Sequence, residues 1–119
     1  MKKAIVLIIL AVGLLAACGS EKFGPGGDSA NAQLVKVKDV LIDPNLSGKP
    51  LILEGKITSQ CGSSGCWLFL DDGTGQIYVD LSTNGFSMPP KMGKKAKVIG
   101  RAAESQNGIV VIASQVEVK

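Results

Sequence analysis

Four groups of side chains in this chain of 119 residues have the types and spacing to do chemistry. Cys61 and Cys66 bracket Gly62-Ser63-Ser64-Gly65, so two thiols come within reach of each other. They can close a disulfide, act as a redox dithiol, or hold a soft ion such as Cu(I). Four intervening residues depart from the spacing of a thioredoxin-like motif. Trp67, Phe69 and Tyr78 fall on alternating positions, where rings can stack on a planar or sugar-like ligand. Lys91, Lys94, Lys95, Lys97 and Arg101 form a basic run. It can meet phosphate, acidic glycans or anionic lipid heads, or serve as a solvated strand face that discourages edge pairing. Asp71 and Asp72 are adjacent carboxylates, but beside Gly73-Thr74-Gly75 they read as turn residues rather than an acid–base pair.

The chain has no His. That excludes Ser–His–Asp and Cys–His catalysis, imidazole-ligated zinc, and haem attachment through Cys-x-x-Cys-His. No catalytic residue, metal or cofactor is assigned, and the chain is read as a non-enzyme.

Lys2 and Lys3 precede fourteen small or apolar residues, Ala4 to Ala17, without a charge. That run is shorter than the roughly 20 residues a spanning helix needs, and it matches the apolar region of an export signal. Leu15-Ala16-Ala17-Cys18 resembles a bacterial lipobox. The resemblance implies removal of residues 1–17 and lipidation of Cys18, with palmitate among the acyl chains. Gly19 and Ser20 follow, with no Asp to favour inner-membrane retention, so the outer membrane facing the periplasm is expected where the host has two membranes. Without Lys2 and Lys3 the balance is 11 basic residues (13 − 2) against 10 acidic. So small an excess, in an exported chain, points away from nucleic acid as a partner. Residues 18–33, with Gly24-Pro25-Gly26-Gly27, read as the lipidated Cys and a flexible tether. In an exported protein the Cys61 and Cys66 pair is expected to be a disulfide, worth about 2 kcal/mol as a loop staple.

The elements that must position these groups lie in residues 34–119. Val35 and Val37 indicate a short strand, and Asp39 to Asp43 a helical turn. Leu51 to Thr58 alternates with period two, which predicts a half-buried strand. Further strands are expected at Cys66 to Asp71, Gln76 to Ser82, Lys94 to Ala103 and Ile109 to Val118. Turn formers separate them at 71–75 and 106–108, and a longer connection spans 83–93. The fold class expected is all-β: a five-stranded OB-type Greek-key barrel with a short N-terminal strand and helical segment.

The segment Trp67-Leu68-Phe69-Leu70-Asp71-Asp72-Gly73-Thr74-Gly75-Gln76-Ile77-Tyr78-Val79 resembles the hairpin of the OB-fold superfamily, and Gly65-Cys66-Trp67 resembles small exported OB-fold lipoproteins of bacteria. The resemblance implies a lipid-anchored binding module of the cell envelope, taking a glycan, a small molecule or a protein. Trp67, Phe69 and Tyr78 are the ligand-binding candidates, supplemented by Lys95, Lys97 and Arg101. Two alternatives stay open: a thiol-disulfide or copper-handling protein using Cys61 and Cys66, and a structural envelope protein without a small ligand. Leu34, Val35, Leu41 and Ile42 could also cover the three rings as a second small core.

Overall fold

The structure is a computed structural model that describes residues 19–27 and 29–119. The expected export leader and the expected lipidation site at Cys18 fall outside the described residues. Among those residues the strands are β1 (Glu21–Phe23), β2 (Gln33–Leu34), β3 (Pro50–Gln60), β4 (Trp67–Asp71), β5 (Gln76–Asp80), β6 (Lys95–Ser105) and β7 (Gly108–Val118). Among the described residues, one α-helix, α1 (Val37–Ile42), and 3-10 turns at Pro44–Leu46 and Ser82–Asn84 accompany these strands.

Five strands close a ring. β3 pairs antiparallel with β6 through Pro50 to Lys56, then with β4 through Lys56 to Gln60. β4 pairs with β5, β5 runs parallel to β7, and β7 returns to β6. This is the OB-type barrel that the alternation and turns predict. Period two places Leu51, Leu53 and Ile57 of β3, Leu68 and Leu70 of β4, and Ile77 and Val79 of β5 in one buried core. Each fully buried aliphatic side chain contributes about 1.5–3 kcal/mol by leaving water. So short a barrel wall must bend sharply. Part of the bend falls in β7, where Ser114 is the extra residue between the Ile99–Gln115 and Gly100–Ala113 pairs. A Cβ at Gly100 would lie 2.3 Å from the Ile112 carbonyl oxygen, so glycine is needed for that approach.

The short strand expected at Val35 and Val37 lies instead at Gln33–Leu34, with Val37 opening α1, and the N-terminal part departs from expectation in two further ways. The stretch expected as a flexible tether carries β1, which adds to the barrel by pairing antiparallel with β7, Glu21 opposite Val118 and Phe23 opposite Val116. The Gly26 N–H also donates to the Ser114 carbonyl at 2.9 Å. Beyond its pairing with β5, one edge of the C-terminal half of β7 has unpaired backbone groups, and the Glu21-Lys22-Phe23 backbone satisfies them. Second, residues 33–42 do not form a separate core over the aromatic rings. β2 joins β3 in parallel, and helical spacing turns Val37 and Val40 into the main barrel core along with Val35. Leu34, Leu41 and Ile42 remain exposed.

The helix start is capped from outside. Lys36 offers no side-chain cap. Instead Asp72 Oδ2 accepts the Val37 N–H at 2.9 Å, and Thr74 Oγ1 accepts that of Lys38 at 3.2 Å. Asp71 Oδ1 and Asp72 Oδ1 accept from Gly73 and Thr74 within the turn. Burial works to raise the Asp72 pKa, but the Thr74 and Val37 donors outweigh it and hold the carboxyl below the usual range. Both carboxylates therefore serve the β4–β5 turn, as their Gly-rich context indicates.

Candidate functional site

Phe69 and Tyr78 are direct cross-strand partners on the outer face of β4 and β5, while Trp67 stands opposite Asp80. The three rings meet. Trp67 stacks on Tyr78 with centroids 5.7 Å apart and planes at 27°. Phe69 meets both rings edge-on, at 5.7 Å from Trp67 and 5.5 Å from Tyr78. All three are half-buried.

A groove of about 840 Å³ opens beside them. Phe69 and Tyr78 form one wall, Val110 and Ile112 of β7 continue it, and Leu41, Ile109 and the β6–β7 turn close its far end. Parallel pairing of β5 with β7 brings Tyr78 beside Val110 and Asp80 beside Ile112. Trp67 does not line the groove; it backs Tyr78 from the side of the thiol loop, where the Cys61 N–H donates to its carbonyl at 3.2 Å.

Two groups set the groove's polarity. Burial pushes the Asp80 pKa up, but the Thr83 and Ser82 hydroxyls and N–H groups outweigh it and keep the carboxyl below its usual range. Burial raises the Tyr78 pKa, as do Asp80 and the two cysteines, so the phenol keeps its proton. The wall thus presents ring faces, a protonated phenol, and a negative carboxylate whose oxygens are taken by Ser82 and Thr83. Alternation places Asp80 on the outer face with Tyr78, but it was not among the site candidates; its signal was the Asp80-Leu81-Ser82-Thr83 run, whose spacing lets one carboxylate gather both hydroxyls.

The basic candidates stand elsewhere. Lys95 borders a separate cleft with Glu54, Lys56, Asp71, Asp72 and Lys119. Lys97 sits opposite Glu54 on one side and Glu117 on the other. Arg101 donates to the Gly48 carbonyl at 2.7 Å and lines a neighbouring cleft with Asn84 and Ser114. The acidic Asp80 and Glu104 line the groove, and among the described residues no Lys or Arg does.

The expected Cys61–Cys66 disulfide is not what the structure holds: both residues are free thiols. The Ser64 hydroxyl stands between them, 3.3 Å from Cys61 Sγ and 3.2 Å from Cys66 Sγ. Hydrogen bonds from the Ser64 hydroxyl, then from the backbone at Ser64 and Ser63 and the Ser63 hydroxyl, lower the Cys61 pKa to about 5. Cys61 is therefore a thiolate at neutral pH, without help from a helix. Gly65, at φ +62°, turns the chain back against Met88; its carbonyl accepts the Met88 N–H at 3.0 Å. Gln60, also missed in the sequence, clamps the loop by donating to the Pro89 carbonyl and accepting the Lys91 N–H. Among the described residues no three His, Cys, Asp or Glu side chains gather to hold a metal ion.

Neither a family model nor a curated protein sequence matches the chain. Its fold is similar to solved structures. The hypothetical protein YgiW from E. coli aligns with TM-score 0.54 and 19% identity, over 75% of this chain and 92% of that one. The Stn1–Ten1 complex of S. pombe gives 0.54 and 18%, over 78% of this chain and 77% of that one. The telomere capping protein Ten1 from Schizosaccharomyces pombe gives 0.53 and 20%, over 71% and 78%. At such identities the likeness establishes the OB-type fold.

Proposed function

We propose that the chain is a non-enzymatic binding module, held by a lipid on Cys18 in the bacterial cell envelope, whose groove takes an uncharged, hydroxyl-rich ligand such as an envelope sugar. One observation carries the reading: three half-buried rings meet beside an open groove of about 840 Å³. Ring faces stack on the apolar faces of a sugar, and the Tyr78 hydroxyl donates to its oxygens. The likeness to a telomere capping protein does not bring nucleic acid to this groove. Asp80 and Glu104 would repel a phosphate backbone, whose affinity comes from Lys and Arg. The apolar leader, its charged start and the lipobox support the location.

The test is Trp67 emission in the mature protein, first with an aqueous quencher and then with envelope oligosaccharides. A red-shifted, quenchable emission that sugars protect supports the reading. No change in emission with any oligosaccharide, and no heat of binding by calorimetry, would end it. Acyl chains on the mature N-terminus, read by mass spectrometry, test the anchor.

A second reading has its own observation: a Cys61 thiolate stands next to a second thiol, which suits thiol–disulfide exchange. Its measure is the reduction potential of the pair. A structural staple lies below about −300 mV and a working dithiol well above it.

A further inference from the structure

We propose that the end of the barrel where β1 meets the C-terminal half of β7 rests against the bilayer surface, with a rim of lysines and Met92 on anionic lipid headgroups. The proposal rests on the lipid anchor at Cys18 and goes beyond it, because an anchor alone does not orient what it holds.

The first argument is reach. β1 begins at Glu21, locked opposite Val118, and the Ser20 hydroxyl donates to Glu117 Oε2 at 2.6 Å. Only Gly19 and Ser20 separate Cys18 from that strand. Three residue steps span at most about 11 Å. A free tether of sixteen residues would have let the domain tumble; this short one holds that end of the barrel at the headgroups.

The second argument is charge. Lys22 lies beside Glu117 on β1, Lys97 faces Glu117 on β6, and the Lys119 N–H donates to the Lys95 carbonyl at 3.0 Å. Lys91 joins the rim through an ion pair of 2.7 Å to Glu21, the first residue of β1. The Gly93 N–H donates to the Ile57 carbonyl at 2.8 Å and the Lys94 carbonyl accepts from Ile57, which sets the 91–94 turn on the same end. Glu21 and Glu117 offset part of this charge, and Glu54 lies 3.9 Å from Lys119. Lys94 and Lys95 are exposed and, among the described residues, have no ion-pair partner. Each Lys held near an anionic surface adds attraction that salt screens within a Debye length.

The third argument is Met92. It is 64% exposed at the tip of the turn between Lys91 and Lys94. An apolar side chain flanked by lysines suits the boundary between headgroups and acyl chains. This placement gives the basic run a role that the groove does not. It also leaves the groove clear: Gly108, Ile109, Val110 and Ile112 line it at the start of β7, and Val116 to Val118 meet β1 at the end.

The experiment uses the mature protein purified from membranes. Its mass reports the acyl chains. It is then reconstituted in vesicles of phosphatidylcholine, with or without one quarter phosphatidylglycerol, and its lysines are acetylated with a membrane-impermeant reagent. Lys94, Lys95 and Lys119 should react about three-fold or more slowly in the anionic vesicles, and 1 M salt should remove the difference. Lys38 and Lys49, by α1 and the following turn, should react alike in both. The double variant K94E/K95E, altered only at exposed positions, should lose the protection at Lys119. An acylated protein with no difference between vesicles overturns the membrane-facing rim and leaves the anchor standing. An unacylated mature protein overturns the anchor and this orientation with it.

Discussion

Trp67 stacks on Tyr78 at 5.7 Å although the two are diagonal, not direct, neighbours across the β4–β5 pair. Direct pairing would have set Trp67 against Asp80 alone. The diagonal lean instead gathers both rings with Phe69 and leaves Asp80 free to take the Ser82 and Thr83 hydroxyls.

Replacing Phe69 or Tyr78 by Ala should therefore weaken ligand binding, by about 1–3 kcal/mol per ring if base stacking is the guide. Tyr78→Phe keeps the ring and loses only the donor, so its loss should be smaller. Titration by Trp67 fluorescence or calorimetry measures both. Equal affinity in all three variants would sink the groove as the binding site.

Cys61 should react with iodoacetamide at a rate nearly flat from neutral pH upward, because its thiolate is already formed above about 5. The rate should fall as pH drops through that value. Ser64→Ala removes the largest stabilising hydrogen bond and should move the inflection upward. A rate profile that still rises through pH 8 to 9 in the parent protein would contradict the assigned thiolate.

Gly65→Ala should destabilise the fold. The new Cβ would fall 2.0 Å from the Met88 carbonyl oxygen, and φ is +62°. Backbone strain of this kind costs about 1–3 kcal/mol, before the Met88 clash is added. Gly62→Ala, where no atom lies within 4 Å of the added Cβ, is the matched control and should change the melting temperature little.

Acid should weaken the domain through Asp72 and Asp80. Both carboxyls have folded-state pKa values depressed below the ordinary 3.8. Their stabilisation is present above the unfolded-state value and is lost as pH falls through the folded-state ones. Asp72→Asn and Asp80→Asn should each flatten the fall in melting temperature between pH 5 and pH 2, at some cost in stability near neutrality. Asp72→Ala also removes the cap on α1, worth about 1 kcal/mol. Parallel pH profiles for parent and variants would show that other groups carry the acid sensitivity.

The sequence by itself determined the barrel. Alternation at Leu51, Leu53 and Ile57, at Leu68 and Leu70, and at Ile77 and Val79 gives strands with one apolar face each, and five such strands around a longer connection, with the hairpin's family resemblance, fit an OB-type barrel. The turn duty of Asp71 and Asp72 was legible for a similar reason, since the residues that decide it are adjacent in the chain. What depends on distant partners was not. The Glu21-Lys22-Phe23 stretch has no strand pattern of its own; it becomes β1 because the far half of β7 has backbone groups to pair. The cover expected over the rings failed because Val37 and Val40 lie three apart on a helix and turn into the main core. The tertiary structure alone decided that the lysine run gathers at the β1 end of the barrel. Residues far apart in the chain become neighbours only through strand register, and no local pattern carries that information.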